Sequence, residues 1–202
     1  MKETLLYFDT EFTQLVKNTD LISIGIISND NKTFYAEFTD YNRNKIDKWL
    51  ADNVIANLKF NNKSNLYCVE GNNTFVKGPK EKVRQCLLPW LKQFGRVQFV
   101  SDVCHYDFVL LLDLIVDKTI ELPKYISPCC HDINMDIAKY YKITDREAFD
   151  KSREKIVASE IADMKSKHNA LYDAILIREI HKKIRKLNKD EDTASEVIYK
   201  NR

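Results

Sequence analysis

Two carboxylates stand two residues apart near the start of the sequence. Asp9 and Glu11 occur in the segment DTEFT, directly after the apolar run Leu5–Phe8. If that run is a buried strand, side chains alternate between its two faces, so both carboxylates project from the same face. Neighbouring carboxylates repel each other unless a cation lies between them, and hard ions such as Mg²⁺ and Mn²⁺ bind such oxygen ligands. The DxE pair is common, however, and on its own it more often ends an exposed strand.

A third acid, Asp107, lies in HYDFVLLLDL, at the start of an apolar run that predicts a helix. The helix dipole favours a negative charge there, and taken alone this is the simpler explanation of the residue. Asp102 is the alternative candidate for the same ligand role, because it also follows a predicted strand. We prefer Asp107, because the chain needs several residues to pass from the strand to the helix that carries the ligand. The segment VSDVCHYD supplies them.

The segment HNALYDAIL contains the fourth acid. His168 precedes a long amphipathic helix, and Asp173 follows five residues later in its first turns. Ala170 and Ala174 flank this acid on the face that we expect to pack inward. An unpaired buried charge is costly, so a carboxylate beside that face needs a partner, and a metal ion would be one. An aspartate at the rim of the protein with a capping histidine is the alternative.

The elements that must position these residues follow from hydrophobic periodicity. Strands are predicted at 5–9, 21–28, 32–38, 66–70, 97–101 and 129–133, and helices at 47–58, 79–95, 106–116, 135–141 and 169–187. The polar turn NDN between the second and third strands predicts an antiparallel hairpin. Helices and strands alternate afterwards. This order predicts an α/β fold with a mixed β-sheet and helices packed against it.

Length and composition narrow the class of protein. The 202 residues suit one domain, which we place at 1–187, followed by a polar tail at 188–202. A formal net charge of +2 neither requires nor excludes nucleic acid as a partner. The apolar run near the N-terminus is too short for a signal peptide, and no stretch approaches the length of a membrane span. We therefore expect a cytoplasmic protein that does not cross a membrane.

The cysteines argue against disulfide or zinc frameworks. There are five, an odd number, and no CxxC pair occurs. The segment Cys129–Asp132 reads CCHD and could suggest a metal cluster. Adjacent cysteines do not suit a tetrahedral zinc site, and no second ligand pair follows. We interpret these cysteines as reduced, buried thiols.

Together, the order DxE, then an aspartate before an apolar helix, then HxxxxD resembles the DEDDh exonucleases. That group includes ribonuclease T, oligoribonuclease and the proofreading exonucleases. The similarity is greatest to a small family of bacterial and phage 3′→5′ exoribonucleases. It rests on the segments FDTEF, LISIGII, FYAEF and HNALYDA, and it spans residues 5–40 and about 97–180.

The resemblance implies a ribonuclease H-like fold and a two-metal-ion site. Two Mg²⁺ or Mn²⁺ ions would be held by Asp9, Glu11, Asp107 and Asp173. In such sites the ions lie about 3.5–4 Å apart and clamp the attacking and leaving oxygens of an in-line displacement. His168 would be the general base, since the reference pKa of histidine, about 6.5, suits proton transfer near neutral pH. The products would be 5′-nucleoside monophosphates.

The resemblance also implies a partner, which is single-stranded RNA or a 3′ overhang. A DNA exonuclease of the proofreading type would use the same catalytic residues, and contacts to the 2′-hydroxyl decide between the two. A non-catalytic nucleic-acid-binding module is the alternative from another class, and the intact acids and histidine argue against it. Related exonucleases are often homodimers, but the sequence identifies no interface.

Phe12 directly follows Glu11 and could stack on a terminal base, a contact worth about 1–3 kcal/mol. Strand alternation points its side chain away from the Glu11 face, which favours an ordinary core residue unless the strand has already ended.

Overall fold

The computed structural model describes the backbone of residues 3–117, 121–157 and 168–200, and the side chains of these ranges up to residue 187. The strands are β1 (Thr4–Phe12), β2 (Leu21–Ser28), β3 (Thr33–Phe38), β4 (Leu66–Glu70), β5 (Asn73–Gly78), β6 (Val97–Ser101) and β7 (His131–Asp132). The α-helices are α1 (Lys48–Asn53), α2 (Lys80–Lys92), α3 (Cys104–Ile115), α4 (Ile133–Tyr141), α5 (Asp145–Asp150), α6 (Arg153–Ile156) and α7 (Ala170–Lys200). Within these ranges, no helix is both long enough and apolar enough to cross a membrane.

The seven strands form one mixed sheet in the order β4-β5-β3-β2-β1-β6-β7. The pairs β1–β2, β2–β3 and β4–β5 are antiparallel, whereas β1–β6, β3–β5 and β6–β7 are parallel. Every residue of β2 is buried, which explains why its sequence is an almost continuous apolar run. The predicted α/β class, the mixed sheet and the antiparallel hairpin of β2 and β3 are confirmed.

Several elements differ from the sequence-based expectation. The helix expected at 47–58 is short, because α1 ends at Asn53 and a 3₁₀ turn follows at Ile55–Asn57. The strand β5 and the short helices α5 and α6 were not predicted. The strand expected at 129–133 is only two residues long. The helix expected to end at residue 187 continues to Lys200.

Polar residues explain why β5 was missed. Its sequence, NTFVKG, has only two adjacent apolar residues, yet five of its six residues are buried. Lys77 is buried because its Nζ atom lies 2.8 Å from Oε2 of Glu37, whose side chain is fully buried in β3. Glu37 also accepts hydrogen bonds from the hydroxyl of Tyr35 and the backbone amide of Phe60. A lysine with such a long-range partner can occupy a strand that local hydrophobicity does not identify.

Gly25 determines how closely α7 approaches the sheet. It lies opposite Asp9 in the β1–β2 register. A Cβ atom at this position would lie 2.2 Å from the backbone nitrogen of Leu171 and 2.3 Å from the carbonyl carbon of Ala170. The first turn of α7 therefore rests directly on β2, and this contact brings Asp173 towards the carboxylates of β1.

Gly25→Ala is expected to lower the free energy of unfolding by about 1–3 kcal/mol, the usual cost of overpacking. The loss arises because backbone atoms of Ala170 and Leu171 must move to make room for the added Cβ atom. Urea denaturation measures the loss. Gly78→Ala is the matched control, because its only contact shorter than 3 Å, at 2.7 Å, is with Cδ of the flexible Lys82 side chain. Equal losses in the two variants would contradict the proposed role of Gly25.

Candidate functional site

Three of the predicted carboxylates come together at one end of the sheet. Asp9 and Glu11 lie on β1, and Asp173 lies in the first turns of α7. One oxygen from each lies within 4.8 Å of the others. All three residues are of intermediate burial, so the group keeps some contact with solvent although its carboxylates are partly desolvated. Their types and spacing would allow them to hold a hard divalent cation.

Asp9 belongs to a second group of three as well. Its other members are Asp107, at the start of α3, and Asp102, in the turn between β6 and α3, with carboxylate oxygens again within 4.8 Å of one another. The two groups of three share the carboxylate of Asp9, and each has a composition that would allow it to hold a cation. The four acids proposed from the sequence thus lie in one cluster, and Asp102 joins them.

The preferred acid and its rival are held by different partners. Asp107 is buried, and its two oxygens accept hydrogen bonds from the hydroxyl groups of Thr10, at 2.6 Å, and Ser101, at 2.5 Å. The carboxylate of Asp102 forms an ion pair with Nε of Arg153 at 3.0 Å. Both acids lie close to Asp9, so their position alone does not separate them, and the choice of Asp107 stays a prediction.

Burial and mutual repulsion make this cluster difficult to ionise completely. Burial, followed by the charges of Asp107 and Asp173, raises the pKa of Asp9 well above its ordinary value. Burial, with the same two charges, raises the pKa of Glu11 to about 8. Burial also raises the pKa of Asp107 to about 7, against the opposing effect of its hydrogen bonds from Ser101 and Thr10. A divalent cation would relieve this repulsion and favour the ionised carboxylates.

His168 lines the same cleft as the four carboxylates. Its φ angle of 58° is in the left-handed region, which costs a residue with a side chain on the order of 1–2 kcal/mol. Its ring makes an edge-to-face contact with Trp49 of α1, with centroids 5.0 Å apart and planes at 74°. The structure thus places the proposed base and the four proposed ligands around one cavity.

Asn169 joins the start of α7 to two other parts of the fold. Its Oδ1 atom accepts hydrogen bonds from the backbone amides of Leu171, at 3.2 Å, and Tyr172, at 3.4 Å, as an N-cap does. Its Nδ2 atom donates to the hydroxyl of Tyr35 at 3.3 Å and to the carbonyl of Asn57 at 3.1 Å. The residue next to His168 is therefore fixed to β3 and to the loop that follows α1.

Asn169→Ala is expected to lower the free energy of unfolding by about 1 kcal/mol or more, since the cap is lost. Asn169→Ser should lose less, because serine can cap the helix although it is too short to replace the Nδ2 contacts. Urea denaturation of both variants checks the order. A loss in the serine variant as large as in the alanine variant would show that the cap contributes little.

Phe12 lies on the cleft wall, where it stacks on Tyr106 with ring centroids 5.9 Å apart and planes at 14°. The β1–β2 register shifts between Glu11 and Phe12, where Ile22 has no partner. Simple alternation therefore does not apply at this point. Phe12 also packs against the hydrophobic core, so the structure supports part of each interpretation. Its contact with a base stays a prediction.

The cleft around these residues has a volume of about 800 Å³. Its walls include Trp49, Tyr106 and Arg153, which the sequence did not indicate as candidates. Trp49 belongs to the segment where a long helix was expected, but α1 has only six residues and leaves Trp49 53% exposed. No local pattern identified Arg153, which reaches the site through its pairing with Asp102.

The thiols of the CCHD segment differ from the expectation. All five cysteines are free, but Cys129 is exposed and Cys130 is only partly buried. The interpretation of Cys129 as a buried residue is therefore wrong, whereas Cys130 packs against the hydrophobic core with part of its surface exposed. Cys129 and Cys130 lie in the connecting segment before β7, outside the helices and strands.

Comparison with known proteins does not assign the chain to a family. No protein-family model matches it, and no curated protein matches it. The interpretation of the cleft therefore depends on its geometry and chemistry, together with the motifs that the sequence contains.

Proposed function

We propose that the chain is a metal-dependent 3′→5′ exoribonuclease of the DEDDh type that releases 5′-nucleoside monophosphates. The observation that carries this proposal is the meeting of three separate motifs in one cleft. The DxE motif lies on β1, the aspartate of the apolar helix lies on α3, and the HxxxxD motif lies at the start of α7. The side chains of all three motifs line the cleft. The mixed α/β sheet is compatible with the ribonuclease H-like fold that the motifs imply.

The donor set fits two Mg²⁺ or Mn²⁺ ions. All the candidate ligands are carboxylate oxygens, which these hard ions prefer over nitrogen or sulfur. Asp9, Glu11 and Asp173 would hold one ion, and Asp9 with Asp107 would contribute to the second. When bound, such ions stabilise charge on the phosphodiester and make the attacking water more acidic.

The protein groups would act on the substrate in complementary ways. His168 would accept the proton of the attacking water, and it lies on the same cleft wall as the carboxylates. Phe12, supported by its stacking on Tyr106, would contact the terminal base. Stacking on an aromatic ring tolerates any base, so these residues would position a 3′ end with little sequence preference. Hydrolysis would leave the phosphate on the 5′ oxygen of the released nucleotide.

Activity is expected to require a divalent cation. Carboxylates that repel each other also repel a phosphodiester, so the enzyme should be inactive in excess EDTA and recover with Mg²⁺ or Mn²⁺. Ca²⁺ should bind but support little turnover, because its looser coordination misplaces the water. Gel electrophoresis of 5′-labelled single-stranded RNA, single-stranded DNA and 3′-overhang duplexes, side by side, measures both activity and substrate class.

The same gel tests the direction of digestion. A ladder of products that shortens from the 3′ end is expected. A 3′-phosphate should block digestion, because its negative charge would lie beside the carboxylates, where an unmodified 3′ end has a neutral hydroxyl. Preferred cleavage of DNA would change the substrate class and leave the mechanism intact. Full activity in EDTA would refute the mechanism, and inactivity with every substrate and metal would favour a binding module.

A further inference from the structure

A second group of metal-ligand side chains lies outside the acidic cluster. It consists of His131 in β7, Asp136 in α4 and His181 in α7, whose ligand atoms all lie within 4.8 Å of one another. The group shares no residue with the carboxylate cluster. Its donors are two imidazoles and one carboxylate, which is a different chemistry from a set of carboxylates alone.

His181 is oriented towards the centre of this group. Its side chain is only 7% exposed, and its Nδ1 atom lies 3.0 Å from the hydroxyl of Tyr7. Its Nε2 atom points towards Oδ2 of Asp136 at 3.7 Å, which is too long for a hydrogen bond. Among the residues that the structure describes, Tyr7 is the only hydrogen-bond partner of this ring. A ring nitrogen of a buried histidine thus faces a carboxylate at a distance too long for a hydrogen bond.

His131 approaches the same carboxylate oxygen from another direction. Its Nε2 atom lies 2.5 Å from Oδ2 of Asp136. The rings of His131 and His181 are stacked, with centroids 5.4 Å apart and planes at 26°. The side chains of His131 and Asp136 are 33% and 28% exposed, so an ion can reach the group from solvent.

We propose that His131, Asp136 and His181 bind a Zn²⁺ ion or a similar borderline cation. Two imidazole nitrogens and a carboxylate oxygen are ligands that Zn²⁺ accepts, and a water molecule would complete four-coordination. Tetrahedral geometry requires about 3.3 Å between ligand atoms when metal–ligand bonds are about 2.0 Å. The 3.7 Å separation of His181 and Asp136 is near this value, and His131 has to withdraw by about 0.8 Å.

Tyr7 would hold the ring of His181 in the orientation that metal binding requires. A histidine that binds a metal through one ring nitrogen usually hydrogen-bonds through the other, which fixes the orientation of the ring. Tyr7 is buried in β1 and makes that contact with Nδ1 of His181. The ion would join β7 and α4 to α7, so we expect it to stabilise the fold.

Calorimetric titration of the full chain with Zn²⁺, in saturating Mg²⁺ to fill the carboxylate cluster, tests this proposal. Wild type should bind one Zn²⁺ that Mg²⁺ does not displace, and its melting temperature should rise. Asp136→Asn and His131→Gln should lose both effects. His105→Gln is the matched control, because it removes an imidazole outside the group, and it should bind Zn²⁺ like wild type.

X-ray absorption spectroscopy of the Zn²⁺-bound wild type provides a second measurement that does not depend on the folding of the variants. Scattering from two imidazole rings and an oxygen ligand is expected. The proposal would be overturned by a coordination shell that contains only oxygen. It would also be overturned if wild type did not bind Zn²⁺ in saturating Mg²⁺, or if folded Asp136→Asn bound Zn²⁺ as well as wild type.

Discussion

Asp107→Asn is expected to reduce turnover at least about 100-fold, which corresponds to about 2.7 kcal/mol of transition-state stabilisation. The substitution preserves the volume of the side chain and removes its charge. Asp107 is 1% exposed, and the hydroxyl groups of Thr10 and Ser101 hold its two oxygens beside Asp9. Asparagine at this buried position would leave a neutral amide where the carboxylate bound the cation, so we expect a large loss of turnover.

Asp102→Asn is the matched comparison, and we expect it to retain much of the activity. Although Asp102 also lies near Asp9, its charge is already balanced by Arg153. Arg153 would keep its hydrogen bonds to Asn134 and to the backbone carbonyls of Ala148 and Lys151. The position of Arg153 should therefore change little.

The two variants are compared by their rates on 5′-labelled RNA at saturating Mg²⁺. Circular dichroism verifies that both are folded. If Asp102→Asn is inactive and Asp107→Asn is active, the ligand assignment is wrong, and the proposed exonuclease activity is unaffected.

The parts of the site that the sequence predicts are those that depend on local geometry. Asp9 and Glu11 share a face because side chains alternate along any strand, and β1 continues through both residues. The position of Asp173 near the start of a helix follows from the apolar periodicity of residues 170–187. In the same way, the apolar run of β2 was sufficient to predict its bounds.

Contacts between residues far apart in the chain explain what the sequence did not show. The Asn169–Tyr35 hydrogen bond joins residues 134 positions apart, and the Lys77–Glu37 contact joins residues 40 positions apart. The carboxylate of Asp102 acquires Arg153 as a partner only after the chain has folded. No pattern of neighbouring residues contains such pairings, and the His131, Asp136 and His181 group depends on them for the same reason.

The second large effect is expected at His168. His168→Ala should slow the chemical step by roughly 10²–10⁴, the usual contribution of a general base. The residue lines the same cleft as the carboxylates and belongs to none of the three groups of potential ligands found among the described residues. Binding of Mg²⁺ and of RNA should therefore persist in the variant, whereas loss of a ligand such as Asp9 should weaken metal binding.

Single-turnover kinetics on 5′-labelled RNA between about pH 5.5 and 9, at saturating Mg²⁺, separate this role from a structural one. A base must be deprotonated to accept a proton, so the wild-type rate should fall on the acidic side. This limb should disappear in His168→Ala, provided that Mg²⁺ keeps the carboxylates ionised across the same pH range. His168→Gln is the matched variant, because glutamine can form hydrogen bonds but is not a base at these pH values, and it should be as slow as the alanine variant. A glutamine variant with wild-type rates would show that the side chain acts by hydrogen bonding alone. Equal rates in wild type and His168→Ala would exclude this histidine from the mechanism.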